Sequence, residues 1–165
     1  MLDAEPLMGS PGVSFPERAA RIRRATALLC LRLGWSPLHE VKLPNGRRAD
    51  ILALEPDGRF ACIEVKSGLR DFQTDLKWPE YRDYADRLFF AVDADFPAAL
   101  LPAECGLVVT HGAEAELLRE PAAHPLPPAR RRALLHRFAT LAAGRLAALD
   151  DPAGTAALRA ALRPE

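Results

Sequence analysis

Residues 48–66 read RADILALEPDGRFACIEVK, and this stretch decides the fold because two apolar runs flank the turn-forming residues Pro56-Asp57-Gly58. If these three residues form the loop of a β-hairpin, Asp50 lies directly opposite Glu64 on the neighbouring strand. Side chains alternate along a strand, so Lys66 shares a sheet face with both carboxylates. The segment therefore predicts an antiparallel strand pair that brings two acids and one amine together.

The length of the loop fixes this register. A four-residue loop without a bulge would put Asp50 opposite Val65 and separate the two acids. In the three-residue register, the other face of the strand pair carries the apolar residues that contact the core. These residues are Ala49, Ile51, Ala53, Ala61, Ile63 and Val65.

Helical spacing and turn residues predict the elements around the hairpin. Ser14 and Glu17 form a capping box at the start of a helix that Gly34 ends. A second helix runs over residues 70–78 and continues at helical spacing after a kink or restart at Pro79. The predicted strands are His39–Leu43, Arg47–Leu54, Phe60–Lys66, Leu88–Val92, Gly106–Thr110 and Ala115–Leu118, and a C-terminal helix starts near Ala129 and ends before Pro152.

The order helix, three strands, helix, strand predicts an α/β fold with a mixed sheet flanked by helices. The path from the third strand through the second helix to the strand Leu88–Val92 is a βαβ unit, whose two strands run parallel. The first three strands are antiparallel neighbours. The Ala-rich tail after the C-terminal helix forms one more short helix.

Length and composition indicate a soluble globular protein. The 165 residues suit one domain, which we assign to residues 13–150, with a flexible leader at 1–12 and a tail at 151–165. The 22 basic and 22 acidic residues balance, so any nucleic-acid binding is local. No apolar run is long enough to span a bilayer. The three scattered cysteines predict reduced thiols in a cytoplasmic protein.

Two directly opposed carboxylates destabilise a strand pair unless something compensates their charge. A divalent cation is a direct compensation, and Mg²⁺ prefers carboxylate oxygens supplemented by water or phosphate; Mn²⁺ is the expected substitute. Lys66 beside such a site orients a water molecule or stabilises charge that develops on a phosphate. Asp50, Glu64 and Lys66 thus predict the chemistry of phosphodiester hydrolysis.

Longer motifs in the chain resemble a known family. In chain order they are Gly46–Asp50, Ile63–Ser67, Asp71-Phe72, Asp75–Tyr84 and Phe89–Val92. Over about residues 38–120 this pattern resembles the bacterial MmcB-type DNA repair proteins, within the PD-(D/E)xK nuclease superfamily. The resemblance implies a restriction-endonuclease-like core in which Asp50 and Glu64 bind a catalytic metal and Lys66 assists the nucleophile.

The superfamily also brings a glutamate from the first helix near the metal, and either Glu17 or Glu40 is the candidate here. Ala49 replaces the proline of the superfamily motif, and Lys77 stands where many relatives have a glutamine four residues before Tyr81. We expect the residues that contact DNA to be Arg47, Arg48, Ser67, Lys77 and Tyr81.

These observations favour a metal-dependent DNA nuclease that acts in DNA repair, with DNA as its partner and a homodimer if both strands are cut. The alternative is a DNA-binding or partner-binding module that keeps the nuclease fold without cleaving. A structural α/β domain without nucleic acid is a third interpretation, which the neutral net charge favours. Intact Asp50, Glu64 and Lys66 favour the enzyme, because a pure binder has no need to juxtapose two carboxylates where phosphate approaches.

Overall fold

The computed structural model describes residues 14–162, and the predicted leader at 1–12 lies outside them. A six-stranded mixed sheet with helices on both faces confirms the predicted α/β architecture. The helices are α1 (Phe15–Arg32), α2 (Leu69–Thr74), α3 (Pro128–Asp150) and α4 (Pro152–Ala161), with 3₁₀ helices at Trp78–Tyr84 and Ala98–Leu100. The strands are β1 (Ser36–Lys42), β2 (Arg48–Leu54), β3 (Phe60–Val65), β4 (Arg87–Asp93), β5 (Gly106–His111) and β6 (Glu114–Arg119).

The strands lie in the sheet in their chain order, β1 to β6. β1, β2 and β3 are antiparallel neighbours, β3–β4 and β4–β5 are parallel, and β5–β6 is an antiparallel hairpin. In the β2–β3 hairpin, Leu54 pairs with Phe60 and Leu52 with Cys62, which is the register that a three-residue loop predicts. The βαβ unit and the parallel pairing of its strands are likewise confirmed.

The helix α1 covers one face of the sheet. Its N-terminus has the predicted capping box, in which the Ser14 hydroxyl accepts from the Glu17 N–H and the Glu17 carboxylate accepts from the Ser14 N–H. The helix ends at Leu33 before Gly34, whose φ of 75° suits glycine. The buried side chains between α1 and the sheet are Ile22, Ala25, Leu29, Cys30, Ile51, Ala53, Ala61, Ile63, Val65 and Phe89.

Helices also cover the opposite face, as expected for a sheet flanked by helices. Ala49, predicted to share a face with Ile51 and Ala53, instead belongs to this second cluster. Its members come from the strands, the 3₁₀ helix Trp78–Tyr84 and the first half of α3. They include Val41, Leu52, Phe60, Cys62, Tyr81, Phe90, Leu134 and Phe138. Every position of β3 is buried, because helices cover this central strand on both sides.

The second helix is shorter than predicted, and the restart expected at Pro79 is a 3₁₀ helix. The helix α2 ends at Thr74, and a 3₁₀ helix rather than an α-helix follows from Trp78 to Tyr84. Asp75, at the end of α2, has a non-helical backbone (φ −88°, ψ 81°), and Pro79 cannot donate a helical hydrogen bond. The break leaves the side chain of Asp75 free to reach other elements.

Two smaller predictions are confirmed, and the start of β1 is corrected. β1 starts at Ser36 rather than His39, and it accommodates Pro37 because an edge strand needs no hydrogen bond from every residue. The helix α4 confirms the predicted helix in the tail, and Cys30, Cys62 and Cys105 are free and buried, as expected.

None of the helices in residues 14–162 is long and apolar enough to cross a membrane.

A buried carboxylate fastens α3 to the sheet. Asp86 is 2% exposed and accepts hydrogen bonds from the N–H groups of Phe60 and Leu126 and from the guanidinium of Arg131. Burial favours the neutral carboxyl, but these hydrogen bonds outweigh it and lower the pKa of Asp86. The start of β3, the connector before α3 and the first turn of α3 are thereby tied to one side chain.

We expect Asp86→Asn to lower the free energy of unfolding by about 2–4 kcal/mol, because an amide cannot accept all of these hydrogen bonds or balance Arg131. A carboxyl with a lowered folded-state pKa stabilises the protein above its unfolded-state pKa, and that stabilisation disappears as the pH falls. The difference in free energy of unfolding between wild type and Asp86→Asn, measured by urea unfolding, should therefore become smaller in acid. Asp83→Asn, at an exposed carboxylate that also contacts an arginine, is the control, and an equal loss in both variants would contradict this role of Asp86.

Candidate functional site

Asp50 and Glu64, the two predicted acids, line a cleft of about 330 Å³ at the end of the sheet where β2 begins and β3 ends. The helix α1 forms one wall, and the 3₁₀ helix contributes Tyr81 to the other. The charged side chains that line the cleft are Arg23, Glu40, Arg48, Asp50, Glu64, Lys66 and Asp71.

Asp50 and Glu64 lie side by side at this end of the strand pair. The regular pairing of β2 with β3 ends at Ile51 and Ile63, one residue before the two acids. There each carboxylate accepts a hydrogen bond from the other strand. Glu64 Oε1 lies 3.3 Å from the backbone nitrogen of Asp50, and Asp50 Oδ2 lies 2.8 Å from that of Val65. The juxtaposition predicted from the loop length is therefore present.

Burial disfavours the charged form of both carboxyls. Glu64 is 3% exposed, and burial, followed by the charge of Asp50, raises the pKa of Glu64 to about 8. Burial also raises the pKa of Asp50, although the Val65 N–H and the Lys66 ammonium act in the opposite direction. At neutral pH the pair therefore retains a proton, which a bound cation would displace.

Lys66 is buried beside the acids and is held by a partner that the sequence did not reveal. Its Nζ lies 2.5 Å from Asp75 Oδ2, and its side chain is 6% exposed. The other oxygen of Asp75 accepts from the Lys77 N–H. Asp75 can reach Lys66 because α2 stops at Thr74. The Asp75 carboxylate thus compensates the positive charge of the buried Lys66 side chain.

Glu40 continues the row of acids onto β1. Its neighbours His39 and Val41 pair with Ile51 and Ala49, so Glu40 falls opposite Asp50. Both of its oxygens are engaged by arginines.

These partners of Glu40 are Arg23 of α1, whose Nη1 lies 2.7 Å from Oε1, and Arg48, whose Nε lies 2.6 Å from Oε2. Glu40 has a φ of 51°, the single positive value among the non-glycine residues of 14–162. Such a backbone costs free energy, of order 1–3 kcal/mol, and persists where the surroundings enforce it. Arg23 carried no signal in the sequence, since it reads as one more exposed charge on α1.

The predicted DNA-contacting residues are not all in the cleft. Arg48 and Tyr81 line it, and the Tyr81 hydroxyl donates to the Arg48 carbonyl at 3.1 Å. Arg47 instead forms a two-pronged ion pair with Glu80 on the 3₁₀ helix, with distances of 2.7 and 3.1 Å. This pair joins the turn before β2 to the segment that carries Tyr81.

The remaining candidates lie beside the cleft rather than on its lining. The backbone N–H of Ser67 donates to Asp71, and Lys77 is exposed at the start of the 3₁₀ helix. Glu17 is engaged in the capping box with Ser14 and is absent from the lining residues. Of the two glutamates considered for the metal site, the structure therefore brings only Glu40 to the acid pair.

The donor set fits a hard cation. In residues 14–162, Asp50 Oδ1 and Glu64 Oε2 accept no hydrogen bond, which leaves one oxygen of each carboxylate for a ligand. Carboxylate oxygens supplemented by water are what Mg²⁺ and Mn²⁺ prefer. The same residues contain no group of three or more His, Cys, Asp and Glu side chains arranged to hold a metal. A cation here would thus take most of its shell from water or from a substrate phosphate.

Comparison with known proteins identifies relatives of this chain. The family model described as "DNA repair protein MmcB-like" matches residues 9–153. Among solved structures, the chain is similar to SPO1766, a protein of unknown function from Silicibacter pomeroyi, with 43% sequence identity and a TM-score of 0.79. The match covers 83% of this chain and 94% of that one. A search of curated proteins found no match.

The raised pKa of Glu64 predicts a pH dependence of the metal-free protein. Between the ordinary value of 4.5 and about 8, the folded chain holds a proton that the unfolded chain has released. The free energy of unfolding therefore falls as the pH rises through this window. We expect Glu64→Gln, which cannot ionise, to flatten this fall in urea unfolding with EDTA. Glu114→Gln, at an exposed carboxylate, is the control, and an unchanged slope in Glu64→Gln would contradict the assignment.

Proposed function

Because this chain belongs to the MmcB-like family of DNA repair proteins, we propose that it is a Mg²⁺-dependent deoxyribonuclease that acts in DNA repair. Asp50 and Glu64 hold the metal, and Lys66 is the catalytic amine. The single observation that supports this proposal most strongly is the juxtaposition of the half-buried Asp50 and the buried Glu64 beside a buried lysine in an open cleft.

A structural explanation of the acid pair is less favourable. A half-buried and a buried carboxylate of like charge cost stability in the metal-free protein, as the raised pKa values of Asp50 and Glu64 indicate. A domain selected only for stability gains nothing from this arrangement, whereas a site that receives a cation does. The strained backbone of Glu40 in the same cleft points in the same direction.

Each residue has a distinct task in the proposed reaction. When bound, Mg²⁺ supplies positive charge to the phosphate and makes water more acidic. Asp50 and Glu64 provide the negative charge that holds the ion, and they lose their shared proton as it binds. Lys66, oriented by Asp75, directs its ammonium into the cleft, where it stabilises the charge that builds up on the phosphate in the transition state.

A DNA-binding module that does not cleave is the second candidate function. Two observations favour it: the Lys66 ammonium is neutralised by Asp75, and no third acidic ligand completes the site within the described residues. Both interpretations require DNA binding. They differ in whether a phosphodiester is hydrolysed when Mg²⁺ or Mn²⁺ is supplied.

Cleavage of a panel of labelled DNA structures with Mg²⁺ or Mn²⁺ separates the two candidates. We expect wild-type protein to cleave at least one structure and Glu64→Gln to lose the activity. Lys66→Met should lower kcat strongly while the DNA dissociation constant changes little, because the amine acts mainly in the transition state.

Glu17→Gln is the matched control for this assay, since glutamine preserves the capping box and Glu17 lies off the cleft lining. It should keep wild-type activity. Unchanged cleavage by Lys66→Met would remove the lysine from the mechanism. Wild-type protein that binds but cleaves no structure in the panel would favour the non-cleaving module.

Metal binding has its own readout that does not require activity. A ligand that binds only the folded state stabilises it by RT ln(1 + [L]/Kd), or about 1.4 kcal/mol at ten times Kd. Mg²⁺ should therefore raise the melting temperature of the wild type, and Asp50→Asn should abolish the increase while remaining folded. Equal Mg²⁺ shifts in the two proteins would exclude Asp50 as a ligand.

A further inference from the structure

A second concave surface lies next to the cleft, between β1 and the C-terminal helices. This groove has a volume of about 530 Å³, and α3, α4 and the end of β1 form its sides. Four of its side chains carry a permanent positive charge and only Glu40 is acidic. The basic residues are Lys42, Arg137, Arg145 and Arg159.

The positive charge of the groove is a local concentration. The whole chain has a net charge of zero, so this excess is offset on other surfaces. A second surface depression, near the end of β4, has Arg18 and Arg21 facing Asp93 and Asp95 and is balanced. A concave surface with an uncompensated excess of one sign focuses the electrostatic potential and attracts a polyanion.

Two of the arginines are fixed in place by backbone carbonyls. Arg137 Nε donates to the Lys42 carbonyl at 2.7 Å, and Arg145 Nη1 donates to the His39 carbonyl at 2.6 Å. These hydrogen bonds anchor the arginines without neutralising their charge. In residues 14–162, Lys42 and Arg159 form no ion pair with an acidic side chain. The groove thus presents cations that are positioned but not paired.

The groove is continuous with the acid cleft. Glu40 lines both, and Arg48, which is 68% exposed at its side chain, binds Glu40 from the cleft side. A chain of phosphates that follows the arginines would therefore pass Glu40 and arrive at Asp50 and Glu64.

Gly144 on α3 supports a ligand in the groove. A glycine inside a helix costs about 1 kcal/mol relative to alanine. A β-carbon at Gly144 would meet no atom within 4 Å, so packing in the protein does not require the glycine. Gly144 lines the groove, where the missing side chain keeps the floor open and lets a ligand approach the helix backbone.

We propose that this groove binds the phosphate backbone of DNA and leads it into the cleft of Asp50 and Glu64. The proposal rests on the proposed function for the identity of the polyanion. Lys42, Arg137, Arg145 and Arg159 contact phosphates, and Gly144 lets the strand lie close to α3. The contacts are independent of sequence, because they involve charge and shape rather than base edges.

The test is DNA binding by fluorescence anisotropy in EDTA, with a short labelled oligonucleotide as a single strand and as a duplex, between about 50 and 200 mM salt. The slope of log K against log salt is negative, and each lost phosphate contact makes it shallower by about 0.7 for single strands and about 0.9 for duplex DNA. The double variant Lys42→Gln/Arg159→Gln should therefore lose about two such steps and weaken binding on the order of tenfold.

Arg24→Gln is the matched charge control. Arg24 is exposed on α1, forms no ion pair in residues 14–162 and lies in a separate depression near the β5–β6 turn. It should bind DNA like the wild type. Equal affinity and salt slope in the double variant and in Arg24→Gln would overturn the proposal.

Gly144→Leu tests the shape of the groove without changing its charge. Leucine favours the helix, so the melting temperature should rise or stay the same, while DNA affinity falls several-fold because the side chain fills the floor. Unchanged affinity in a folded Gly144→Leu would contradict a strand that lies against α3.

Failure of this proposal and failure of the nuclease proposal are distinguishable. If the double variant loses affinity but wild-type protein cleaves nothing with Mg²⁺ or Mn²⁺, the groove proposal is supported and the nuclease proposal is refuted. If wild-type protein cleaves DNA and the double variant has the same Kd, KM and kcat, the nuclease proposal is supported and the groove proposal is refuted.

Discussion

The repulsion between Asp50 and Glu64 is the constraint around which this end of the molecule is organised. Two carboxylates at the end of a buried strand pair destabilise it unless each finds donors. Here the regular pairing of β2 with β3 stops at Ile51 and Ile63. Beyond it, the Asp50 N–H donates to Glu64 and the Val65 N–H donates to Asp50. Lys66 adds a positive charge to the same site.

The hairpin could be predicted from the sequence because its determinants are local. A three-residue turn between two apolar runs sets one register, and strand alternation then assigns every side chain to a face. The capping box at Ser14 and Glu17 is just as local. The parallel partner of β3 followed from chain topology, since a helix between two strands returns the second one parallel to the first.

The parts that sequence could not predict depend on contacts between distant residues. α2 ends before Asp75, and the Asp75 carboxylate pairs with Lys66, which local helical spacing does not predict. Glu40 has a left-handed backbone at a point where Arg23 and Arg48 pair with its side chain and Arg145 donates to its carbonyl. Local spacing also does not predict which helix covers which face. The residues that bury the second face include Leu134 and Phe138 of α3, about seventy positions after the hairpin.

The first half of α3 is packed into the core, whereas side-chain hydrogen bonds from Arg145 hold its second half to β1. Asp86 holds Arg131, and Leu134 and Phe138 are buried, whereas Leu146 and Leu149 further along are mostly exposed. Amide hydrogens in the first half should exchange only on global unfolding, and those in the second half through local opening of much lower free energy. The wall of the groove that the second half of α3 forms should therefore open locally while the sheet that carries the acids stays folded.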